Sequence, residues 1–347
     1  MIADKIKVLI TDDSLLFRNV LKKELSNDSS IEIVGMAVDP MDAMEKVKVL
    51  NPDIITLDIE MPKMDGLTFI KKLMAEQPTK VVLVSSMNIS VFDALQSGAV
   101  DFVKKPDMAS GNDLHSFISE LKTKIKIASI AKLVTYKNIK KEVSGNSVAG
   151  LAGIIKSSLR RVIAIGASTG GTEATLKILR ELPVDFPGIV VTQHMPAGFT
   201  KMYADRLNKI CSMEVKEASN GDRLERGVVL IAPGDKHMKL MKDEKGYYVS
   251  CKTGDKVSGH CPSVDMLFNS VAEIAGKNSV GIILTGMGKD GAQGLLNMKK
   301  AGAYTIGQDE KSSVVYGMPM VAYNIGAVAE QASIENIADI LIRYLNK

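Results

Sequence analysis

The sequence predicts an α/β protein of two doubly wound, parallel-sheet domains in tandem. Three observations carry that expectation. Apolar runs rich in β-branched residues alternate with amphipathic helical periodicity along most of the chain. The alternation lapses once, around 122–158, and restarts at Val162. The length, 347 residues, is that of about two ordinary domains.

In the first half the strand runs are 6–10, 31–35, 54–57, 81–84 and 102–103. Helical patterns lie near 15–25, 41–50, 67–74 and 92–96, with a last one from 114 onward. Strict strand–helix alternation implies a parallel sheet covered on both faces. Lys122, Lys124, Lys126, Lys132, Lys137, Lys140 and Lys141 then make the chain basic, and Ser144-Gly145-Asn146-Ser147 and Gly150 make it loose. This reads as a helix running out into a mobile linker, with the lysines on a solvated face. The second half has strand runs at 162–165, 189–192, 228–231, 238–241, 247–250, 280–284 and 304–306. Its helical patterns lie near 172–182, 201–210, 264–275, 292–301, 321–325 and 337–345. The strand-rich stretch 211–251, with short turns such as Ala232-Pro233-Gly234-Asp235, is expected to be an antiparallel insertion at one sheet edge. The expected division is 1–125, a linker at 126–158, and 159–347.

Composition excludes several classes. Hydrophobic residues at 46% and charged residues at 24% suit a globular protein. A net charge of +4 is too small to argue for nucleic acid, and no helix-turn-helix pattern follows the linker. No apolar run reaches the roughly 18 residues of a membrane span, and Met1-Ile2-Ala3-Asp4-Lys5 is no signal peptide. Cys211, Cys251 and Cys261 are odd in number and lack Cys-x-x-Cys spacing, as expected of free thiols in a reducing cytoplasm. A cytoplasmic monomer without membrane insertion or nucleic-acid binding is the expectation.

The first candidate site is acidic. Asp12 and Asp13 follow the first strand, Asp58 the third, Ser85 ends the fourth and Lys105 follows the fifth. In a parallel sheet all fall at the carboxyl edge, where such folds bind ligands. Three carboxylates there repel one another unless a hard cation joins them, and oxygen ligands with room for water suit Mg²⁺. A carboxylate can itself accept a phosphoryl group, whose charge Lys105 would offset and which the Ser85 hydroxyl would hydrogen-bond. These residues, with Met61-Pro62-x-x-Asp65-Gly66, resemble the CheY-like receiver domain of response regulators. The resemblance implies that Asp58 accepts phosphate from a histidine kinase, that Asp12 and Asp13 help hold Mg²⁺, and that Ser85 and Lys105 sense the phosphoryl group. Phe102 falls where that family carries an aromatic switch residue; an ordinary core phenylalanine is the equal alternative.

The second candidate site is a serine. Gly166-x-Ser168-x-Gly170 joins the run at 162–165 to a helical pattern, the form of a nucleophile elbow whose helix N-terminus also offers N–H groups to an oxyanion or phosphate. A serine nucleophile needs a base and an orienting acid. His194 ends the next strand, and Asp290 follows another in Thr285-Gly286-Met287-Gly288-Lys289-Asp290-Gly291. Taken singly, Ser168 and Asp290 are also readable as helix N-caps and His194 as a satisfied strand-end histidine. Dinucleotide binding is the weaker rival: Ser168 replaces the glycine needed for approach to a pyrophosphate. A Cys–His enzyme built on His260-Cys261 is disfavoured, because neighbours on a strand face opposite ways; both read as structural or substrate-rim residues.

A receiver, a basic linker, and then Gly166-Ala167-Ser168-Thr169-Gly170-Gly171, Gln193-His194-Met195-Pro196 and Thr285-Gly286-Met287-Gly288-x-Asp290-Gly291 together resemble the chemotaxis response regulator methylesterases of the CheB family. Ile231-Ala232-Pro233-Gly234 and Pro262-Ser263-Val264-Asp265 also match, whereas the linker and His260-Cys261 depart from the pattern. The resemblance implies a Rossmann-like methylesterase domain that demethylates glutamate methyl esters, and deamidates particular glutamines, on methyl-accepting chemotaxis receptors. It implies a Ser168–His194–Asp290 triad, with oxyanion support near Thr169 and Met287 and no cofactor for the ester chemistry. Control by the receiver is the further expectation, with the unphosphorylated receiver covering the Ser168 edge. A catalytically silent, phospho-switched receptor-binding adaptor is the alternative.

Overall fold

The structure, a computed structural model, describes residues 5–61, 65–86, 90–106, 113–133 and 161–346. It divides into two compact units, Met1–Asn138 and Ile139–Lys347. The 134–158 portion of the expected linker, with Lys137, Lys140 and Lys141, lies outside the described residues.

The first unit runs β1 (Ile6–Thr11), α1 (Leu15–Ser26), β2 (Ile31–Ala37), α2 (Pro40–Leu50), β3 (Ile54–Asp58), α3 (Gly66–Glu76), β4 (Lys80–Ser85), α4 (Ser90–Gln96), β5 (Asp101–Lys104) and α5 (Asp113–Ile130). Its strands pair in parallel in the order β2-β1-β3-β4-β5. Central β3 is buried at every position, which is why its sequence is mostly apolar up to Asp58 rather than alternating. The helices begin on side-chain caps: Ser14 accepts from the Phe17 N–H, Asp39 from Met41 and Asp42, and Asp65 from Thr68. Part of the basic run is used within this unit, since Lys124 bonds Asp101 at 2.8 Å and Lys126 bonds Asp28 at 2.6 Å.

The second unit runs β6 (Val162–Ala167), α6 (Gly171–Arg180), β7 (Ile189–Gln193), α7 (Phe199–Ile210), β8 (Glu214–Glu217), β9 (Val228–Ile231), β10 (His237–Asp243), β11 (Gly246–Lys252), α8 (Val264–Ile274), β12 (Ser279–Ile283), α9 (Ala292–Lys300), β13 (Tyr304–Gln308), α10 (Met318–Asn324), β14 (Glu330–Ala332) and α11 (Ile337–Leu345). Seven parallel strands take the order β14-β13-β12-β6-β7-β9-β8. The chain builds outward from β6 through β7, then crosses back to β12. The strand order therefore reverses between β6 and β12, the position at which open α/β sheets form a crevice.

The stretch 211–251 corrects the expected antiparallel insertion in part. Only β10 and β11 are antiparallel, and they form a separate two-stranded sheet against α8, where the Leu240 N–H donates to Ser270 Oγ at 2.8 Å. Strands β8 and β9 instead extend the main sheet in parallel. Residues 218–227 return the chain to the same end of the sheet, so these strands need no hairpin turn. Edge strands β8 and β14 are short and carry Glu214, Glu217 and Glu330; charge suits an exposed edge and hides the strand from an apolar-run reading. Among the described residues no helix is long and apolar enough to cross a membrane.

Candidate functional site

Because β6 lies between β12 and β7, the chain leaving these three neighbours carries Ser168, Asp290 and His194 to one edge of the second unit's sheet. Ser168 is the first residue beyond β6. Its N–H donates to the Thr285 carbonyl at 3.0 Å, and its carbonyl accepts from the Gly171 N–H at 2.7 Å and Gln193 Nε2 at 2.9 Å. The turn closes through Gly170, at φ 77°, which is the N-cap of α6. Gly291, at φ 87°, likewise caps α9. Neither Ser168 nor Asp290 is therefore a helix cap, and the bland reading of each falls away.

The Ser168 hydroxyl has no hydrogen-bond partner among the described residues. A Cβ added to Gly286 would lie 2.7 Å from Ser168 Cβ and 2.4 Å from Met318 Sδ. Only a glycine lets the 285–291 loop approach the serine so closely. Gly286→Ala is expected to destabilise the fold by about 1–3 kcal/mol and to lower ester hydrolysis with it, because the methyl must displace Ser168. Calorimetry and a rate measurement check this; an unchanged melting temperature would refute the tight contact.

His194 follows β7, and its N–H donates to the Ala167 carbonyl at 3.1 Å. Its Nε2 lies 2.8 Å from Asp290 Oδ2. Asp290 also accepts from the Ser263 hydroxyl at 2.8 Å, the Val264 N–H at 2.8 Å and the Asp265 N–H at 3.0 Å. Burial alone would raise its pKa. The bonds from His194 and from these backbone N–H groups outweigh that and hold it at about 2. An ionised carboxylate only accepts, so Nε2 carries the proton and Nδ1 of the neutral ring carries the lone pair. That Nδ1 is buried and has no partner among the described residues. Asp265, beside Asp290, is pushed the opposite way by burial and by the charge of Asp290.

Ser168 and His194 share the edge without a hydrogen bond between their side chains; such bonds commonly tighten only when substrate is bound. Thr169 is buried, and its carbonyl accepts from the Thr285 hydroxyl at 3.0 Å. Met287 is exposed, and its N–H meets no protein acceptor among the described residues. Two neighbours have no catalytic role in the sequence reading, which takes His260 only as structural or substrate-rim. Ser263 caps α8 and holds Asp290; its signal was its place before a helical pattern. His260 lies face to face with His194, ring centroids 3.7 Å apart and planes at 10°. It sits in a tight turn rather than on a strand, so the alternation argument does not apply to it.

In the first unit, Asp12, Asp13 and Asp58 bring carboxylate oxygens within 4.8 Å of one another where β1 and β3 end, with Asp13 exposed and the other two buried. Lys105 Nζ lies 2.8 Å from Asp12 Oδ2 and 2.5 Å from Asp58 Oδ2. Burial would lower the Lys105 pKa, but these two carboxylates outweigh it and raise it. Burial raises the pKa of Asp58 against the opposing pull of Lys105 and the Glu60 N–H. Ser85, fully buried, donates its hydroxyl to the Ser86 carbonyl at 2.9 Å, and its own carbonyl accepts from the Lys105 N–H. Phe102 points inward, edge-on to Phe92 with centroids 6.3 Å apart.

Comparisons with known proteins agree with both halves. Residues 163–341 match the family model for CheB methylesterase, and residues 8–118 that for the response regulator receiver domain. A protein-glutamate methylesterase/protein-glutamine glutaminase 2 of Syntrophomonas wolfei is 53% identical over 344 residues, covering 99% of this chain and 98% of that one. The protein-glutamate methylesterase/protein-glutamine glutaminase of Syntrophotalea carbinolica is 47% identical over 347 residues, covering 99% and 98%. The crystal structure of the Thermotoga maritima CheB methylesterase catalytic domain aligns at TM-score 0.52 and 38% identity, covering 53% of this chain and 98% of that one. With a catalytic half and a receiver half both matched, and relatives similar from end to end, the chain belongs to the CheB methylesterase family in its form with an N-terminal response regulator receiver domain.

Proposed function

We propose that this chain is a phosphorylation-regulated serine hydrolase that demethylates glutamate methyl esters, and deamidates specific glutamines, on methyl-accepting chemotaxis receptors. The observation that carries the reading is the His194–Asp290 pair, with its buried Nδ1 that meets no partner among the described residues, at the same sheet edge as the Ser168 hydroxyl. In the proposed chemistry Ser168 Oγ attacks the ester carbonyl while His194 Nδ1 takes its proton. Asp290, held ionised at about pKa 2, stabilises the imidazolium that forms. Backbone N–H groups beside Ser168, at Thr169 and Met287, hold the oxyanion; losing one such donor costs about 10²–10³ in rate. The imidazolium returns its proton to the methoxide as the ester C–O bond breaks, so methanol leaves. Water, deprotonated by the same nitrogen, then cleaves the acyl-enzyme to the glutamate carboxylate.

In the receiver, Asp58 is the proposed acceptor of a phosphoryl group from the chemotaxis histidine kinase. Asp12, Asp13 and Asp58 form an all-oxygen donor set with one exposed member, which fits Mg²⁺ with retained water. When bound, Mg²⁺ would neutralise charge on the transferring phosphoryl group. Lys105 already spans Asp12 and Asp58 and is the cation placed to turn to that group. Ser85 and Phe102 are the proposed sensors. The reading keeps the methylesterase domain at 159–347 and moves the receiver's expected end from 125 to Ile130, where α5 ends, with the linker from there to 158, in a cytoplasmic monomer whose three cysteines are free.

The test is methanol release from methyl-labelled receptor membranes, with and without a small phosphodonor and Mg²⁺. Release is expected to rise at least about tenfold with phosphodonor, a coupling of about 1.4 kcal/mol, and Asp58→Asn is expected to lose that rise. A rise that survives Asp58→Asn would remove Asp58 as the acceptor. No release from the parent chain under any condition would favour a silent adaptor.

A further inference from the structure

We propose that His260 is a positioning residue for the general base: its ring fixes the plane of the His194 imidazole by face-to-face stacking. The inference rests on the reading of His194 as base. A ring held only through Nε2···Asp290 can still swing about that bond, and Nδ1 then sweeps an arc. A second constraint acting on the ring face removes that freedom, and a parallel ring covers the face more evenly than a branched aliphatic chain. His260 lies parallel within 10° at 3.7 Å.

His260 is itself held by backbone. Val257 and His260 exchange both N–H···O bonds at 3.0 Å, closing a two-residue turn. The turn residues Ser258 and Gly259 have φ 52° and 84°, the left-handed pair such tight turns require. The Ser258 hydroxyl ties the turn to Asp265 Oδ2 at 3.3 Å. Three residues beyond His260, Ser263 and the N–H groups of Val264 and Asp265 grip Asp290. The single segment 257–265 therefore holds both the face of the base and the acid at its edge. The half-buried His260 side chain is not a core residue whose loss would collapse the fold.

The test uses the full chain labelled with ¹⁵N-histidine, together with methanol-release kinetics on methylated receptor membranes. His260→Ala is expected to lower kcat by about 10–100-fold, the scale of a small misplacement of a reacting group, with KM within about twofold. His260→Phe keeps a flat face without ring nitrogens and is expected to recover most of kcat; His260→Leu, bulky but not flat, is not. The strongly deshielded proton on His194 Nε2, recognised by its upfield shift or loss in Asp290→Asn, is expected to persist in the parent and the phenylalanine variant. In His260→Ala it should broaden or exchange with solvent. An unchanged kcat and proton signal in His260→Ala would overturn the proposal. So would failure of phenylalanine to rescue, or a rise in KM alone, which would make His260 a substrate contact. If the parent releases no methanol, the esterase reading fails, and the proton signal still decides whether the stack holds the ring.

Discussion

Ser168→Ala is expected to reduce methanol release by about 10⁶-fold, the scale on which serine hydrolases lose kcat with their nucleophile, while leaving the fold intact. Both halves of that expectation come from the same geometry. Among the described residues the Ser168 hydroxyl bonds nothing, whereas its backbone makes three hydrogen bonds, to Thr285, Gly171 and Gln193, that alanine keeps. Removing one oxygen therefore breaks no bond and should shift stability by no more than about 0.5 kcal/mol. The residual rate reports what the N–H groups of the site and substrate binding supply without a nucleophile. The two measurements are methanol release and the melting temperature. Full activity in the variant would remove Ser168 from the chemistry. A large drop in melting temperature would mean that the hydroxyl has a structural partner.

The parts of this molecule legible in the sequence are those governed by burial and by parallel-sheet geometry. Strands β6 and β12 are buried at every position, so β6 throughout and β12 from Val280 onward read as non-alternating runs without charge. Once such strands are known to be parallel, residues following them must gather at one edge, and Ser168, His194 and Asp290 follow from that alone. The edge strands escape because Glu214, Glu217 and Glu330 give no apolar signal. The capping alternatives for Ser168 and Asp290 were local readings. They yield to Gly170 and Gly291, whose positive φ turns the chain two residues after Ser168 and one residue after Asp290. Which nitrogen of His194 faces the acid is beyond any pattern of residue types, since it depends on the ring's rotation. His260 is the clearest case of what sequence does not carry. It meets His194 across 66 positions through a turn whose residues, Ser258 and Gly259, could end many kinds of loop.

Asp290→Asn is expected to lower methanol release by about 10⁴-fold, the cost seen when such an acid loses its charge but not its shape. The fall should exceed that of any oxyanion-hole change. Asp290 accepts four hydrogen bonds: His194 Nε2 and the Val264 N–H on Oδ2, the Ser263 hydroxyl and the Asp265 N–H on Oδ1. An amide has one acceptor oxygen, so its NH₂ must face one of the two backbone N–H groups whichever way it turns. If the NH₂ faces His194, Nε2 becomes the acceptor, Nδ1 takes the proton, and the nitrogen that should receive the Ser168 proton is already occupied. If it faces Ser263 and Asp265, the tautomer survives but the imidazolium loses its counter-charge. Stability adds an independent readout. Folding lowers the Asp290 pKa from 3.8 to about 2, worth about 2 kcal/mol. A lowered carboxylate pKa stabilises the fold fully above the unfolded value and loses that contribution as pH falls through the folded one. The asparagine variant has no such dependence, although Asp265, relieved of a neighbouring charge, offsets part of the loss. Its deficit against the parent should be largest near pH 7 and should narrow between about pH 4 and pH 2. A deficit constant with pH would mean that folding leaves the Asp290 pKa at its unfolded value, and one that shrinks as pH rises above about 4 would mean that Asp290 is protonated in the native site. Its pairing with His194 would then be an ordinary neutral hydrogen bond, and the acid's electrostatic part in the chemistry would go with it.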